Sequence, residues 1–235
     1  MKVQLFIPCF VDQLFPQTAF NTIRVLEKAG CQVQYNPNQT CCGQPAFNAG
    51  FWDDARSVCR KFLEDFNATD PIVTPSASCS GFVRNYFKKL APEGTSEAVS
   101  RNCFELSDFL VNQLGQTDFG ARLEGKATYH DSCAGLRECR IKNEPRRLLQ
   151  AVDGLDITEM EDVETCCGFG GTFAVKFEPI SVAMGEQKVE HALATGARYL
   201  ISTDLSCLMH LEGYIRGKNY DLKTMHLADV LASGW

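Results

Sequence analysis

Residues 31–43 read CQVQYNPNQTCCG, and residues 155–168 read LDITEMEDVETCCG. Each begins as a short strand, Cys31–Tyr35 in one case and Leu155–Met160 in the other, and each runs through a polar turn into two vicinal cysteines and a glycine. Working outward from these turns, a cysteine stands upstream of each pair, Cys9 and Cys133, and another downstream, Cys79 and Cys207. The upstream gap is 31 residues in one copy and 32 in the other; the downstream gaps are 36 and 39. Eight of the twelve cysteines therefore form one pattern used twice, displaced by 124 to 128 positions. A spacing kept that closely implies that each half gathers four sulfurs, Cys9, Cys41, Cys42 and Cys79, then Cys133, Cys166, Cys167 and Cys207.

The repeat extends to the segments between the cysteines. The apolar run Lys2–Ile7 precedes Cys9, and Lys126–His130 precedes Cys133; both read as strands. Helical periodicity over Phe20–Lys28 stops at Gly30, and its counterpart Pro145–Val152 stops at Gly154. Amphipathic stretches follow the vicinal cysteines, Trp52–Phe66 and Ile180–Ala194, and then the strands Pro71–Thr74 and Tyr199–Ser202. Leu106–Leu110 (LSDFL) and Leu227–Leu231 (LADVL) end the two halves alike. Strands alternating with helices imply an α/β fold with parallel sheets and right-handed crossovers, here as two βα modules, residues 1–120 and 121–235, joined near Asp118–Gly125. The repeated cysteines then fall at the carboxyl ends of strands, where sites form in such sheets. Ala91–Ser100 (APEGTSEAVS) reads as a polar surface loop.

Composition excludes several classes of function. The net charge is −6, and neither half is basic: residues 1–125 carry 11 basic and 13 acidic groups, the remainder 12 and 16. Nucleic acid is not an expected partner. Met1–Pro8 is too short an apolar run for a secretory signal, and no stretch reaches the length of a membrane span. The expected compartment is the cytoplasm, where thiols stay reduced, so twelve cysteines read as ligands or core residues rather than as a disulfide framework.

Four thiolates suit zinc or an iron–sulfur cluster. Zinc knuckles use Cys-x-x-Cys, which lets two sulfurs reach one ion, whereas adjacent cysteines diverge and fit different iron atoms of a cluster more easily. Iron–sulfur is therefore the sharper reading, with zinc, as a structural ligand or a substitute, and metal-free thiols remaining open. Gly43 and Gly168 allow backbone N–H groups to approach the paired sulfurs. The helices expected at Phe82–Leu90 and Leu208–Ile215 place an N-terminus beside Cys79 and Cys207, which favours thiolate.

The motifs Cys41–Gly50 (CCGQPAFNAG), Cys166–Lys176 (CCGFGGTFAVK), Ser78-Cys79, Cys207-Leu208-Met209 and Met225–Leu231 (MHLADVL) resemble the lactate utilization protein A family. They are also similar to the cysteine-rich domains of heterodisulfide reductase and of the glycolate oxidase iron–sulfur subunit. The resemblance runs from Met1 to about Ser233. It implies an oxidoreductase subunit, inactive alone, that works with two further proteins in oxidising L-lactate to pyruvate and contributes electron transfer through one cluster, [4Fe-4S], in each half. It leaves glycolate as an alternative substrate of the assembled system. In heterodisulfide reductase the last cysteine opens a Cys-x-x-Cys pair; here the partner position is Phe82 in the first half and His210 in the second, so a five-thiolate cluster is not expected.

Other residues admit two readings. Cys31, Cys59, Cys103 and Cys139 have no counterpart in the other half and read as buried small hydrophobes, although Cys139 lies six residues after Cys133. His130 ends a strand three residues before Cys133, either as an ordinary loop histidine or as a hydrogen-bond donor to a cluster sulfur. Phe169, Phe173 and Phe177 sit where they would shield the second motif from water. There is no nucleophile elbow or P-loop, no flavin or nicotinamide fingerprint and no catalytic set. The competing functional classes are a zinc-stabilised scaffold and a thiol–disulfide reductase using the vicinal cysteines.

Overall fold

A computed structural model describes residues 1–92 and 95–235. Each half builds one four-stranded sheet. In the first, β1 (Lys2–Leu5), β2 (Gln32–Tyr35), β3 (Ile72–Thr74) and β4 (Cys103–Glu105) lie in the order β2-β1-β3-β4. In the second, β5 (Arg122–Tyr129), β6 (Asp153–Ile157), β7 (Tyr199–Ser202) and β8 (Lys223–His226) lie in the order β6-β5-β7-β8. All pairings are parallel, with Lys2 opposite Gln32 and Gln4 opposite Ile72 in one sheet, and Ala127 opposite Ile157 and Tyr199 in the other. The two halves thus share one α/β topology. In both, the chain leaves the first strand for one side and later returns on the other, which opens a crevice beyond the carboxyl ends of the central strands.

Burial follows strand position. β3 (IVT) and β7 (YLIS) are buried at every residue, as expected for strands covered by helices on both faces. β2 (QVQY) and β6 (DGLDI) are edge strands and stay largely exposed. The amphipathic helix Pro16–Lys28 turns Thr18, Thr22, Val25 and Leu26 inward at helical spacing and ends through Gly30 at φ +80°, whose conformation suits glycine.

Several sequence expectations are corrected by the structure. Within the expected loop Ala91–Ser100, Glu93 and Gly94 lie outside the described residues, but Ser96–Arg101 is a helix that buries Ser96, Val99 and Ser100. Gly154 does not close the helix Asn143–Gln150; it lies inside β6. The expected junction Asp118–Gly125 already contains the start of β5 at Arg122, and Phe119 and Ala121 are buried. The helices carrying the last cysteine of each set begin earlier, at Ala77 and Leu205.

The halves are interlocked. The C-terminal helix Leu227–Leu231 of the second half packs on Pro16–Lys28 of the first, where Asp229 accepts hydrogen bonds from Thr18 (2.9 Å) and Asn21 (2.9 Å). Reciprocally, Leu106–Asp108, at the end of the first half, packs on Asn143–Gln150. One apolar core runs through Val3, Leu26, Leu110, Leu148, Leu200 and Leu227, while a second, rich in Phe6, Phe62, Phe66, Phe82 and Phe87, backs Cys42 in the first half. No described helix is long and apolar enough to cross a membrane.

Candidate metal centre

The cysteine sets occupy equivalent places. Cys9 and Cys133 start the helical turns that follow β1 and β5. Cys41-Cys42 and Cys166-Cys167 lie on the loops after β2 and β6. Cys79 and Cys207 are each the third residue of the helix after β3 and β7, Ala77–Leu90 and Leu205–Lys218. The capping residues are also equivalent: Ser76 Oγ accepts from the Cys79 N–H at 3.4 Å, and Asp204 caps Ser206 at 3.2 Å. Helix N-termini thus point toward the sulfurs and favour negative charge there.

In the first half the four sulfurs lie in two close pairs joined through the vicinal cysteines. Cys9 Sγ lies 3.5 Å from Cys41 Sγ, Cys42 Sγ lies 3.5 Å from Cys79 Sγ, and the adjacent Cys41 and Cys42 thiols are themselves in contact. In the second half the Cys167 and Cys207 sulfurs lie within 4.8 Å of each other, and Cys133 and Cys167 perturb Cys166 as Cys9 and Cys42 perturb Cys41. The Gly43 N–H donates to Cys41 Sγ at 3.4 Å, and the Gly168 N–H donates to Cys166 Sγ at 3.4 Å. Both glycines have φ above +90°, which a residue with a Cβ adopts only with strain.

Crowding polarises each set. Cys41 is pulled down to about 3 because the Cys42 and Cys9 thiols donate to its sulfur. Cys166 falls to about 2 through the same donation from Cys133 and Cys167. Their donors move upward: Cys9 through its bond to Cys41 and burial, Cys42 through Cys41, Cys79 and burial, Cys133 through Cys166 and burial, and Cys167 through Cys166, Cys207 and burial. Cys41 and Cys166 are therefore held as thiolates, while Cys9, Cys42, Cys133 and Cys167 resist ionisation unless a cation replaces their protons. This donor chemistry fits a soft, thiolate-bound metal or cluster.

The loops are held by polar anchors. Gln39 Oε1 accepts from the Ile7 N–H at 2.7 Å and its Nε2 donates to the Leu5 carbonyl at 3.2 Å, fastening the loop before Cys41 to the end of β1. Lys188, 1% exposed, donates to the Asp162 (2.5 Å) and Val163 (3.2 Å) carbonyls and to Thr165 Oγ1 (3.0 Å), fastening the loop before Cys166. A cavity of about 690 Å³ is lined by Cys9, Cys41, Cys42 and Cys79 and also by Cys133 and Cys207, with Phe10, Phe82 and Phe169 among its walls. Cys166 opens instead on a separate hollow beside Met160 and Arg137.

The remaining candidates divide. Cys31, Cys59, Cys103 and Cys139 are buried. Desolvation pushes the Cys59 and Cys103 thiols to about 12. Cys139 Sγ donates to the Ala77 carbonyl at 3.3 Å. His210 Nε2 lies 3.3 Å from both Oγ and the carbonyl of Ser181, so its ring is spent on the helix Glu178–Ala194. Phe169 packs between Phe10 and His210, whereas Phe177 is 52% exposed and does not shield the site. His130 is fully buried beside Cys167 and Cys207. Sequence reading missed Lys188, because the helix Glu178–Ala194, expected to be amphipathic, has no clear polar face to set a buried ammonium apart, and Asp204, which the Asp-then-apolar start of a helix could have flagged.

The cysteine-rich CCG domain family model matches residues 3–84 and again 127–212, one match in each half. Lactate utilization protein A 2 of Bacillus cereus (strain 03BB102) is 42% identical over 240 residues, covering 100% of this chain and 99% of its own. Lactate utilization protein A of Halalkalibacterium halodurans is 42% identical over 235 residues, covering 98% and 96%. A hypothetical protein from Helicobacter pylori of known crystal structure shares the fold, with a TM-score of 0.62 and 12% identity; it matches 100% of this chain, which spans 49% of that one. Fold and sulfur geometry together define a doubled cysteine-rich α/β protein. The chain belongs to the lactate utilization protein A family, built from two copies of the cysteine-rich CCG domain.

Proposed function

We propose that this protein is the iron–sulfur electron-transfer subunit of a multi-protein system that oxidises L-lactate to pyruvate. Cys9, Cys41, Cys42 and Cys79 hold one cluster, and Cys133, Cys166, Cys167 and Cys207 hold the other, each of the [4Fe-4S] type; zinc can occupy the same thiolates in iron-poor or aerobic preparations. The modules are residues 1–120 and 121–235. Two further subunits, in the same cytoplasmic complex, supply the lactate site and its proton chemistry. The observation that carries this reading is that the whole first cysteine set and Cys133 and Cys207 of the second border one cavity, which brings the two sets near each other for electron exchange. The relatives' names supply lactate.

Bound clusters supply reversible one-electron storage. The chain itself gathers the sulfurs, aims helix N-termini and the Gly43 and Gly168 N–H groups at them, and limits water with Phe10, Phe82 and Phe169. The test is lactate-dependent dye reduction by the assembled complex with Cys42→Ser or Cys167→Ser. Each variant is expected to abolish turnover while circular dichroism stays native. Wild-type turnover from both variants would remove the clusters from the electron path.

A further inference from the structure

Doubling of the site is not perfect, and one difference places a polar side chain beside the sulfurs of the second set alone. Displacing Cys133 onto Cys9 by 124 residues places His130 on Phe6, since both stand three residues before the first cysteine of their set. Phe6 is fully buried and packs edge-on against Phe62, with ring centres 4.9 Å apart. Phe6 has no polar side-chain atom to offer a sulfur. His130 is equally buried, yet neither ring nitrogen has a hydrogen-bond partner among the described residues. Its backbone is pinned, with the N–H donating to the Ile201 carbonyl at 2.8 Å and the carbonyl accepting from Ser202 Oγ at 3.0 Å. A ring nitrogen and the sulfurs of Cys167 and Cys207 all lie within 4.8 Å of one another.

We propose that His130 is a positioning residue of the second centre only, donating its ring N–H to a sulfur of the thiolate-bound cluster and making the two clusters unequal in potential. A fully buried imidazole with no partner is costly, and sulfur is the acceptor within reach. Donation is favoured over ligation on two grounds. The second half already offers four thiolates, and a metal-bound histidine hands its other N–H to a carboxylate or carbonyl, which His130 lacks among the described residues. A donor to cluster sulfur stabilises the more negative, reduced state and raises the potential. The second cluster therefore lies above the first, and electrons collect there.

This inference rests on the iron–sulfur reading, and the experiment separates the two. The full chain, prepared anaerobically, is assayed for iron and sulfide and titrated redox-wise under paramagnetic resonance, as wild type, His130→Phe and His130→Gln. Wild type should show two midpoints. His130→Phe, which copies the first half, should lower the upper midpoint and leave the other in place at unchanged iron content; His130→Gln, which keeps a donor, should largely restore it. In wild type, double resonance should find a weakly coupled nitrogen and an exchangeable proton at one cluster only. Unmoved midpoints in a folded His130→Phe variant, or iron lost from one site, would overturn the donor role, as would a strongly coupled nitrogen or none. Wild-type protein that lacks iron and sulfide would overturn the cluster reading, and this inference with it.

Discussion

Asp204 Oδ2, in the second half, accepts a 2.8 Å hydrogen bond from the Ser78 N–H of the first. Its Oδ1 accepts from Ser206 N–H (3.2 Å) and Oγ (2.5 Å). One buried carboxylate therefore anchors both helices whose first turns carry Cys79 and Cys207. The adjacent Ala77 N–H reaches the Thr203 carbonyl at 3.3 Å, so the two helix starts are tied to each other as well as to their own sheets. Asp204→Ala removes a cap and leaves the half-buried Ser78 N–H without its acceptor, at a cost of about 1–3 kcal/mol. Urea unfolding should show that loss, and metal affinity should fall at both cysteine sets. A variant that weakens the Cys207 set alone would mean that the bond to Ser78 is dispensable.

Glu105 is fully buried, and burial pushes its carboxyl up to about 8 against donation from the Ser107 hydroxyl and N–H. The sign follows from the raised value. Below the unfolded carboxylate range both states are protonated and folding carries no penalty. As pH rises toward about 8 the unfolded chain ionises while the folded one resists, so stability falls across that window. Glu105→Gln should flatten the decline, by roughly 1.4 kcal/mol per pH unit. Urea midpoints of metal-free wild type and variant, at pH 5.5 and 7.5, give the comparison; parallel declines would contradict it.

Gly43 and Gly168 share a left-handed conformation but not the same surroundings. A Cβ on Gly168 would sit 2.5 Å from the Ser181 carbonyl oxygen, whereas one on Gly43 would meet its nearest atoms at 3.4 Å. Gly43→Ala should cost about 1–2 kcal/mol from backbone strain alone. Gly168→Ala should cost more and displace the start of the helix Glu178–Ala194, disturbing the second site first. Thermal unfolding of the two metal-free variants checks the ranking.

The shared core predicts cooperative unfolding. Trp52 reports on the first half, and Trp235 packs under Lys28, whose Nζ lies 3.8 Å from the ring centre. With each tryptophan left in turn as the only one, urea should give coincident transitions. Separate midpoints would show that the halves unfold independently.

Much of this was legible in the sequence because repetition makes local signals redundant. The vicinal cysteines and the buried runs of β3 and β7 carried the fold, and the doubled spacing carried the sulfur sets. The three-residue strand CFE and the strand KTMH had no apolar run to announce them; they form because β3 and β7 need a partner on their free edge. The helix at Ser96–Arg101 was hidden because its buried residues include two serines, one of which donates to the Val83 carbonyl. Cys139 turned from the second site because Ala77, distant in sequence, offers it an acceptor. Lys188 and the bond from Ser78 to Asp204 act across long sequence separations, which no local pattern encodes.

The most direct test of the central claim is the iron and acid-labile sulfide content of anaerobically prepared chain, measured for wild type, Cys42→Ser and Cys167→Ser. Wild type should be brown, bleach on reduction and contain both elements. Each variant should keep about half, since each removes one thiolate from one of two independent four-sulfur sets. Colourless protein holding zinc, or iron unchanged in both variants, would contradict the account.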